Sequence, residues 1–285
     1  MLLRRRKGGG GGSGTEGRLS PPPGRWRGGR GGDGNPSPGS MATPRRSLEE
    51  VRDLVGGSHS ISDLSQKLQF YDQWAPRYDQ DVDVLEYGAP RLAVGHLAAA
   101  WSSPPEEALI LDVACGTGLV AAELRRRGFC QIHGVDGSAG MLERARQRGL
   151  YQWLNLCTLG QESLPVPSDR YDAVIIVGAL SEGQVPCSAL PELLRVTKPG
   201  GLVCLTTRAN TSNLRYKADL EEALETLARA GRWERVSERT VERWERATAP
   251  EEEQPGPGGQ GRGVDGFIPG VIFLYRKSPA PRTVP

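Results

Sequence analysis

Ten residues, Leu109-Ile110-Leu111-Asp112-Val113-Ala114-Cys115-Gly116-Thr117-Gly118, constrain this chain more than any other stretch. The apolar run reads as a buried strand. Gly116 and Gly118 permit positive φ and let backbone approach a ligand with no Cβ in the way. Leu119 to Arg127 then reads as a helix whose N-terminus faces the same spot. A second apolar run, Gln131 to Val135, ends in Asp136, eighteen residues beyond Gly118. In a strand-helix-strand unit that carboxylate stands at the carboxyl end of the neighbouring strand, where it can accept both hydroxyls of a ribose. A lone G-x-G is weak in a chain with 38 glycines, so the second acid supplies the context.

The acids also bear on which ligand is bound. A carboxylate in the first loop repels a pyrophosphate, whereas Asp112 suits a ligand with a positively charged amino group and a sulfonium. S-adenosyl-L-methionine has both. Ala121 at the sixth fingerprint position gives G-x-G-x-x-A, which some dinucleotide folds tolerate, so a nicotinamide cofactor stays the runner-up.

Further motifs follow in order: G-V-D-G-S-A-G-M-L from Gly134, Y-D-A-V from Tyr171 and K-P-G-G from Lys198. With D-V-A-C-G-T-G at Asp112 they resemble the ordered motifs of class I S-adenosylmethionine-dependent methyltransferases. Upstream, Tyr71-Asp72-Gln73-Trp74-Ala75-Pro76-Arg77-Tyr78-Asp79 resembles the segment that lids the cofactor in many small-molecule methyltransferases. The resemblance spans about Ser47 to Arg208. It implies an α/β, Rossmann-like fold with a seven-stranded, mostly parallel sheet, an antiparallel C-terminal hairpin and N-terminal lid helices. It also implies methyl transfer to a small-molecule or protein acceptor; a catalytically silent binder of the same cofactor is the alternative.

Composition sets outer limits. The chain has 285 residues and 37% apolar content, enough for a core. Residues 1–46 hold 14 glycines and nine arginines and are expected to be disordered, with Met41 a plausible alternative start. The formal charge of +2 comes from that stretch, so the remaining body is acidic and no general nucleic-acid face is expected. No DNA or membrane partner is expected, and a soluble cytoplasmic or nuclear protein is. Five cysteines without C-x-x-C spacing predict reduced thiols and no metal site.

Ser47-Leu-Glu-Glu50 and Ser62-Asp-Leu-Ser-Gln66 carry capping-box spacing, predicting two helices before the Tyr71 lid. A helix is expected over Tyr87 to Ala100. Strands are expected at Leu109–Val113, Ile132–Val135, Trp153–Cys157, Ala173–Val177 and Leu202–Thr206. Helices are expected at Ala139–Arg148, capped by Ser138, at Cys187–Val196, ended by Pro199-Gly200-Gly201, and at Asn213–Ala230. Trp233 to Trp244 reads as strand or helix, strand favoured. Val271 to Arg276 reads as a strand, and Pro250 to Val264 as a flexible loop between the two. The expected methyltransferase domain is 47–278, with 279–285 a disordered tail.

Asp136 is assigned to ribose binding, and Asp112 to the methionine amino group directly or through water. The resemblance adds Ala114, Gly116, Gly118, Gly137 and Val177 around the cofactor, Met141 and Leu159 beside the adenine, and Trp74 and Tyr78 as its cover. A carboxylate after strand three reads the adenine amino group in this family; here Gly160 stands in its place, so backbone of Leu159 and Gly160, or Gln161, substitutes. The acceptor is expected near Tyr71, Gly178, Arg208 and Tyr216. Methyl transfer is in-line displacement at a sulfonium, so positioning alone can contribute about 7 to 11 kcal/mol. No general base is assigned. His133 lies within a strand and is rejected as one. Pro186-Cys187 resembles the nucleophile of cytosine-carbon methyltransferases, but nothing else in the chain agrees.

Overall fold

A computed structural model describes residues 44–59, 61, 63–248 and 266–279. The expected tail before residue 44, Ser62, the 250–264 loop and residues 280–285 lie outside the described residues.

Seven strands, β1 (Leu109–Val113), β2 (Gln131–Asp136), β3 (Trp153–Leu156), β4 (Tyr171–Leu180), β5 (Thr197–Arg208), β6 (Trp233–Arg246) and β7 (Phe267–Lys277), form one sheet. Its order is β3-β2-β1-β4-β5-β7-β6. β1 to β5 pair in parallel, whereas β7 is antiparallel to both β5 and β6. Strand order reverses between β1 and β4, so a crevice opens at their carboxyl ends. The expected fold class is the observed one.

Helices α4 (Ala89–Ala99) and α5 (Leu119–Arg126) cover one face of the sheet. On the other lie α7 (Leu190–Val196) and α8 (Leu214–Arg229). Because both faces are covered, the middle of β4 is buried at every position from Ala173 to Val177, which explains its unbroken apolar run. Helix α6 (Ala139–Arg148) follows β2, and Ser138 caps it by accepting from the Met141 amide. Three further helices, α1 (Leu48–His59), α2 (Leu64–Trp74) and α3 (Tyr78–Val84), precede the sheet and share a cluster built on Val51, Val55, Trp74, Val82 and Leu85. The Ser47 capping box forms reciprocally: Ser47 donates its amide to Glu50, and its hydroxyl accepts from the Glu50 amide. The second cap is Asp63, which accepts from the Gln66 amide at 2.9 Å.

Several boundaries differ from expectation, each for a local reason. The helix expected from Tyr87 begins at Ala89, because Glu86 turns the chain at a φ of 52°. The helix expected over Cys187–Val196 is a 3-10 turn, Cys187–Ala189, followed by α7. Pro191 has no N–H to bond the Cys187 carbonyl, so α-helical bonding starts only there. Pro199-Gly200-Gly201 does not end that helix. It sits inside β5, where Tyr171 pairs with Thr197 and Ala173 with Leu202, so the extra residues form a bulge. β4 continues past Val177 through a second irregularity at Gly178, whose φ is 75° and whose amide donates to Thr206 Oγ1 at 3.0 Å.

Residues 233–246 are strand. Trp233 stacks on Tyr275 of β7 with ring centroids 4.5 Å apart, and its indole N–H donates to the Leu224 carbonyl of α8. Farther along, the Trp244 indole lies against Gly270 of β7, and a Cβ there would overlap the ring. Gly270→Ala should therefore cost about 1–3 kcal/mol. Urea unfolding is expected to show a lower midpoint with an unchanged m-value.

Candidate functional site

β1 delivers the chain into a loop whose geometry is unusual for non-glycine residues. Ala114 has φ 54°, Gly116 φ 54° and Gly118 φ 94°, and Gly118 is the N-cap of α5. A Cβ on Gly116 would meet nothing within 4 Å, so the loop backbone there borders open space. Asp136, at the tip of β2, ties this loop to the next one. One carboxylate oxygen accepts from the Gly116 amide and the other from the Ser138 amide, each at 2.8 Å. Two lone-pair sites remain for a further donor pair. Burial pushes the Asp136 carboxyl up to about 6, against the lowering effect of those amides.

Asp112 is placed differently from expectation. It is fully buried on the side of β1 that faces Tyr151, whose hydroxyl donates to Oδ2 at 2.7 Å, and it does not line the cavity described below. Among the described residues its Oδ1 has no hydrogen-bond partner. Burial, opposed by the Tyr151 hydroxyl, raises its carboxyl to about 8.

Two aspartates in the lid segment, which sequence reasoning passed over in favour of the aromatics, clamp it to the loops. Asp72 of α2 accepts from the Ser138 hydroxyl at 2.5 Å and from the Gly140 amide at 2.8 Å. Its backbone approaches so closely that a Cβ on Gly140 would lie 2.8 Å from the Asp72 carbonyl oxygen. Asp79 of α3 accepts from Thr117 Oγ1 at 2.5 Å and pairs with Arg148, which also donates to the Thr117 carbonyl. The signal was present: within the lid segment Tyr-Asp occurs twice, seven residues apart, at Tyr71-Asp72 and Tyr78-Asp79.

Over the crevice lies a cavity of about 820 Å³. Of the expected site residues, Tyr78, Ala114, Gly116, Asp136, Gly137, Met141, Leu159 and Val177 line it. Trp74, Gly118, Gly160 and Asp112 do not. Trp74 packs beneath Tyr71 and Tyr78 and donates its indole N–H to buried Asp81 at 2.7 Å, so it supports the cover from behind. Gly118 packs against Arg148 and Tyr151, and Gly160 turns towards Pro186. Tyr71 of the lid segment also lines it, as do Lys67, Leu68, Thr158 and Gln184, which had not been expected to.

A second cavity, of about 460 Å³, shares Tyr71, Tyr78, Gly178 and Gln184 with the first and is completed by Trp74, Tyr87, Arg208 and Glu245 together with residues of α1. Arg208 Nε lies 2.6 Å from Glu245 Oε1. The expected neighbour Tyr216 is not part of it: its hydroxyl donates to the Val185 carbonyl, and its ring belongs to the core under α8. His133 meets the Tyr171 hydroxyl at 3.1 Å, away from both cavities. Cys187 sits in the 3-10 turn, its thiol raised by burial.

An open, mostly parallel sheet with glycine-turn and acid-tipped strands at the order reversal defines a class of cofactor-dependent α/β enzymes. A methyltransferase-domain family model matches residues 110–201. Human methyltransferase-like protein 27 is 68% identical over 188 residues, which cover 66% of this chain and 76% of that protein. A demethylmenaquinone methyltransferase of Streptomyces avermitilis is 35% identical over 164 residues, 56% of this chain and 69% of that protein. A solved structure titled as a SAM-dependent methyltransferase, possible histamine N-methyltransferase, from Thermotoga maritima superposes with a TM-score of 0.48 at 20% identity, covering 73% and 98% of the two chains. The chain belongs to this methyltransferase family. The family's methyl donor, S-adenosyl-L-methionine, is compact, cationic and mixed in polarity. The residues present fit it: a largely apolar cavity, one carboxylate with lone pairs to spare, and loop backbone bordering open space at Gly116. No helix among the described residues is long and apolar enough to cross a membrane.

The two buried acids make a stability prediction. Both folded values lie above the 3.8 of an ordinary aspartate. The folded chain therefore holds more protons than the unfolded one across that window, and stability falls as pH rises through it. Without ligand, the urea midpoint should be higher at about pH 5 than at about pH 8. Asp112→Asn should remove the part of the slope above the Asp136 titration.

Proposed function

We propose that the protein moves the methyl group of S-adenosyl-L-methionine to a small-molecule acceptor, with residues 47–278 as the methyltransferase domain. The observation that carries this reading is the Asp136 carboxylate, lining the 820 Å³ cavity while its two oxygens hold the amides of both adjoining loops. In this reading Asp136 accepts the ribose hydroxyls. Ala114 and Gly116 bring backbone to the methionine portion, and Gly137, Met141 and Leu159 flank the adenine. With Gly160 turned away, Thr158 joins Leu159 at the edge where the family's acid would stand. Tyr71 and Tyr78 cover the donor, and Val177 ends β4 beside it. Asp112 acts from behind the loop, through Tyr151 and the buried charge balance, as a positioning residue.

When bound, the donor supplies an electrophilic methyl on a sulfonium that is already a good leaving group. The chain's contribution is to orient and to exclude water, which suits a site whose cover is pinned by Asp72 and Asp79 and walled by aromatic rings. The small-molecule reading is preferred over a protein acceptor because α1 residues Val55 and Ser58 wall the second cavity, where an acceptor would meet the donor.

Two measurements test this. Calorimetric titration with S-adenosylhomocysteine should show binding that Asp136→Ala weakens by about 10- to 100-fold, the worth of charge-assisted hydrogen bonds. Binding to the ionised carboxylate also predicts that affinity rises as pH increases through about 6 and then levels, a dependence absent in Asp136→Asn. Methyl-labelled donor incubated with a small-molecule extract should label an acceptor in wild type and not in Gly116→Arg. Tight donor binding with no labelled product would defeat the transferase reading.

A further inference from the structure

Lys67 is a buried cation with no carboxylate partner among the described residues. Its residue is only 4% exposed, and its ammonium donates to the Ser58 carbonyl at 2.9 Å. Among the described residues no carboxylate lies within ion-pair distance of it. A buried lysine held by one neutral carbonyl is costly to keep charged. Burial and the positive charge of Arg208 both lower its pKa, as expected for an ammonium without a counter-ion.

Its position gives that charge a use. Lys67 lines the cavity proposed for the donor, on the helix face it shares with Tyr71, one turn further on. The Ser58 residue it bonds lines the second cavity. Lys67 thus stands at the seam between the two, on the side of the loop after β4, where a Cβ on Gly183 would lie 3.9 Å from its Nζ. The second cavity is aromatic: the hydroxyl ends of Tyr71, Tyr78 and Tyr87 all sense the Arg208–Glu245 pair. The Tyr87 hydroxyl fills the space beside Gly178, where any Cβ would overlap it. Arg208 and Glu245 offset each other and Asp136 reaches Tyr71 from the donor side, so among the described residues Lys67 is the cation at this seam without an ion-pair partner.

We propose that the second cavity is the acceptor site and that it takes a small planar aromatic acid, its ring among Tyr71, Tyr78 and Tyr87 and its carboxylate on Lys67. This rests on the donor reading of the first cavity. Flat tyrosine rings bind another ring by offset or edge contacts. A carboxylate also supplies the missing counter-ion, and the ammonium donates to it in a charge-assisted hydrogen bond.

The test uses the full chain and two stages. S-adenosylhomocysteine is titrated first. If it does not bind, the donor reading fails and this inference falls with it. The S-adenosylhomocysteine complex is then titrated with benzoate and 4-hydroxybenzoate, and with the neutral benzamide and 4-hydroxybenzamide. The acids are expected to bind about tenfold or more tighter than their amides, as a charge-assisted bond requires. Lys67→Met should abolish that preference, and Lys67→Arg should restore much of it. Equal affinity for acid and amide, or binding of neither, overturns the proposal. So does a Lys67→Met variant that loses donor-product affinity, because that places the ammonium on the donor. The acid and amide comparison on wild-type protein decides the question even if Lys67→Met fails to fold.

Discussion

The site depends on one carboxylate satisfying two chain segments at once. Asp136 accepts the Gly116 amide from the loop after β1 and the Ser138 amide at the head of α6. Hydrogen bonds to a charged acceptor contribute roughly 1.5–3 kcal/mol each, enough to fix both loops against the conformational entropy of glycine-rich turns. The loop after β1, with Ala114 and Gly116 both at positive φ, is held as well by the Cys115 amide on the Val135 carbonyl and by Thr117 on Asp79. Structure and chemistry converge on the same side chain, because Asp136 both holds the two amides and lines the cavity.

Around this centre the lid is fastened by polar contacts and filled by apolar ones. Asp72 reaches the head of α6 and Asp79 reaches Thr117 and Arg148, so α2 and α3 are each tied to a different loop of the sheet. Phe70, Tyr71, Trp74 and Tyr78 then pack edge-to-face or stacked between those ties. Such a division suits a cover that must open for ligand exchange. The apolar side is a cluster of α1 to α3 residues and Leu85, against which Tyr87 and Leu119 of α5 also pack.

Much of this was legible in the chain. The strand ending at Val113, the helix behind Gly118, the Ser138 cap and the acid at the tip of β2 follow from local chemistry: apolar runs, positive-φ glycines and a side-chain oxygen two or three residues before unpaired amides. The errors are equally physical. Asp112 is one residue from a cavity-lining position, and strand alternation puts its side chain on the opposite face, against Tyr151. Gly160 looked like a substitute for a reading carboxylate and instead makes room for Pro186, a contact with a residue 26 positions away. Tyr216 has the right chemistry for an acceptor pocket but belongs to a helix whose apolar face buries it.

By itself the sequence determined the alternation of elements, the order of the motifs and hence the family, because each is written in periods and turns of a few residues. Only the tertiary structure decided which side chains share a space. Residues 233–246 became strand because β7 was there to pair with. Ser58 and Tyr71, separated in sequence from Arg208 and Glu245, joined them because α1 and α2 fold back over the end of the sheet. Contacts of that kind depend on the closing of long loops, whose partners no local pattern names.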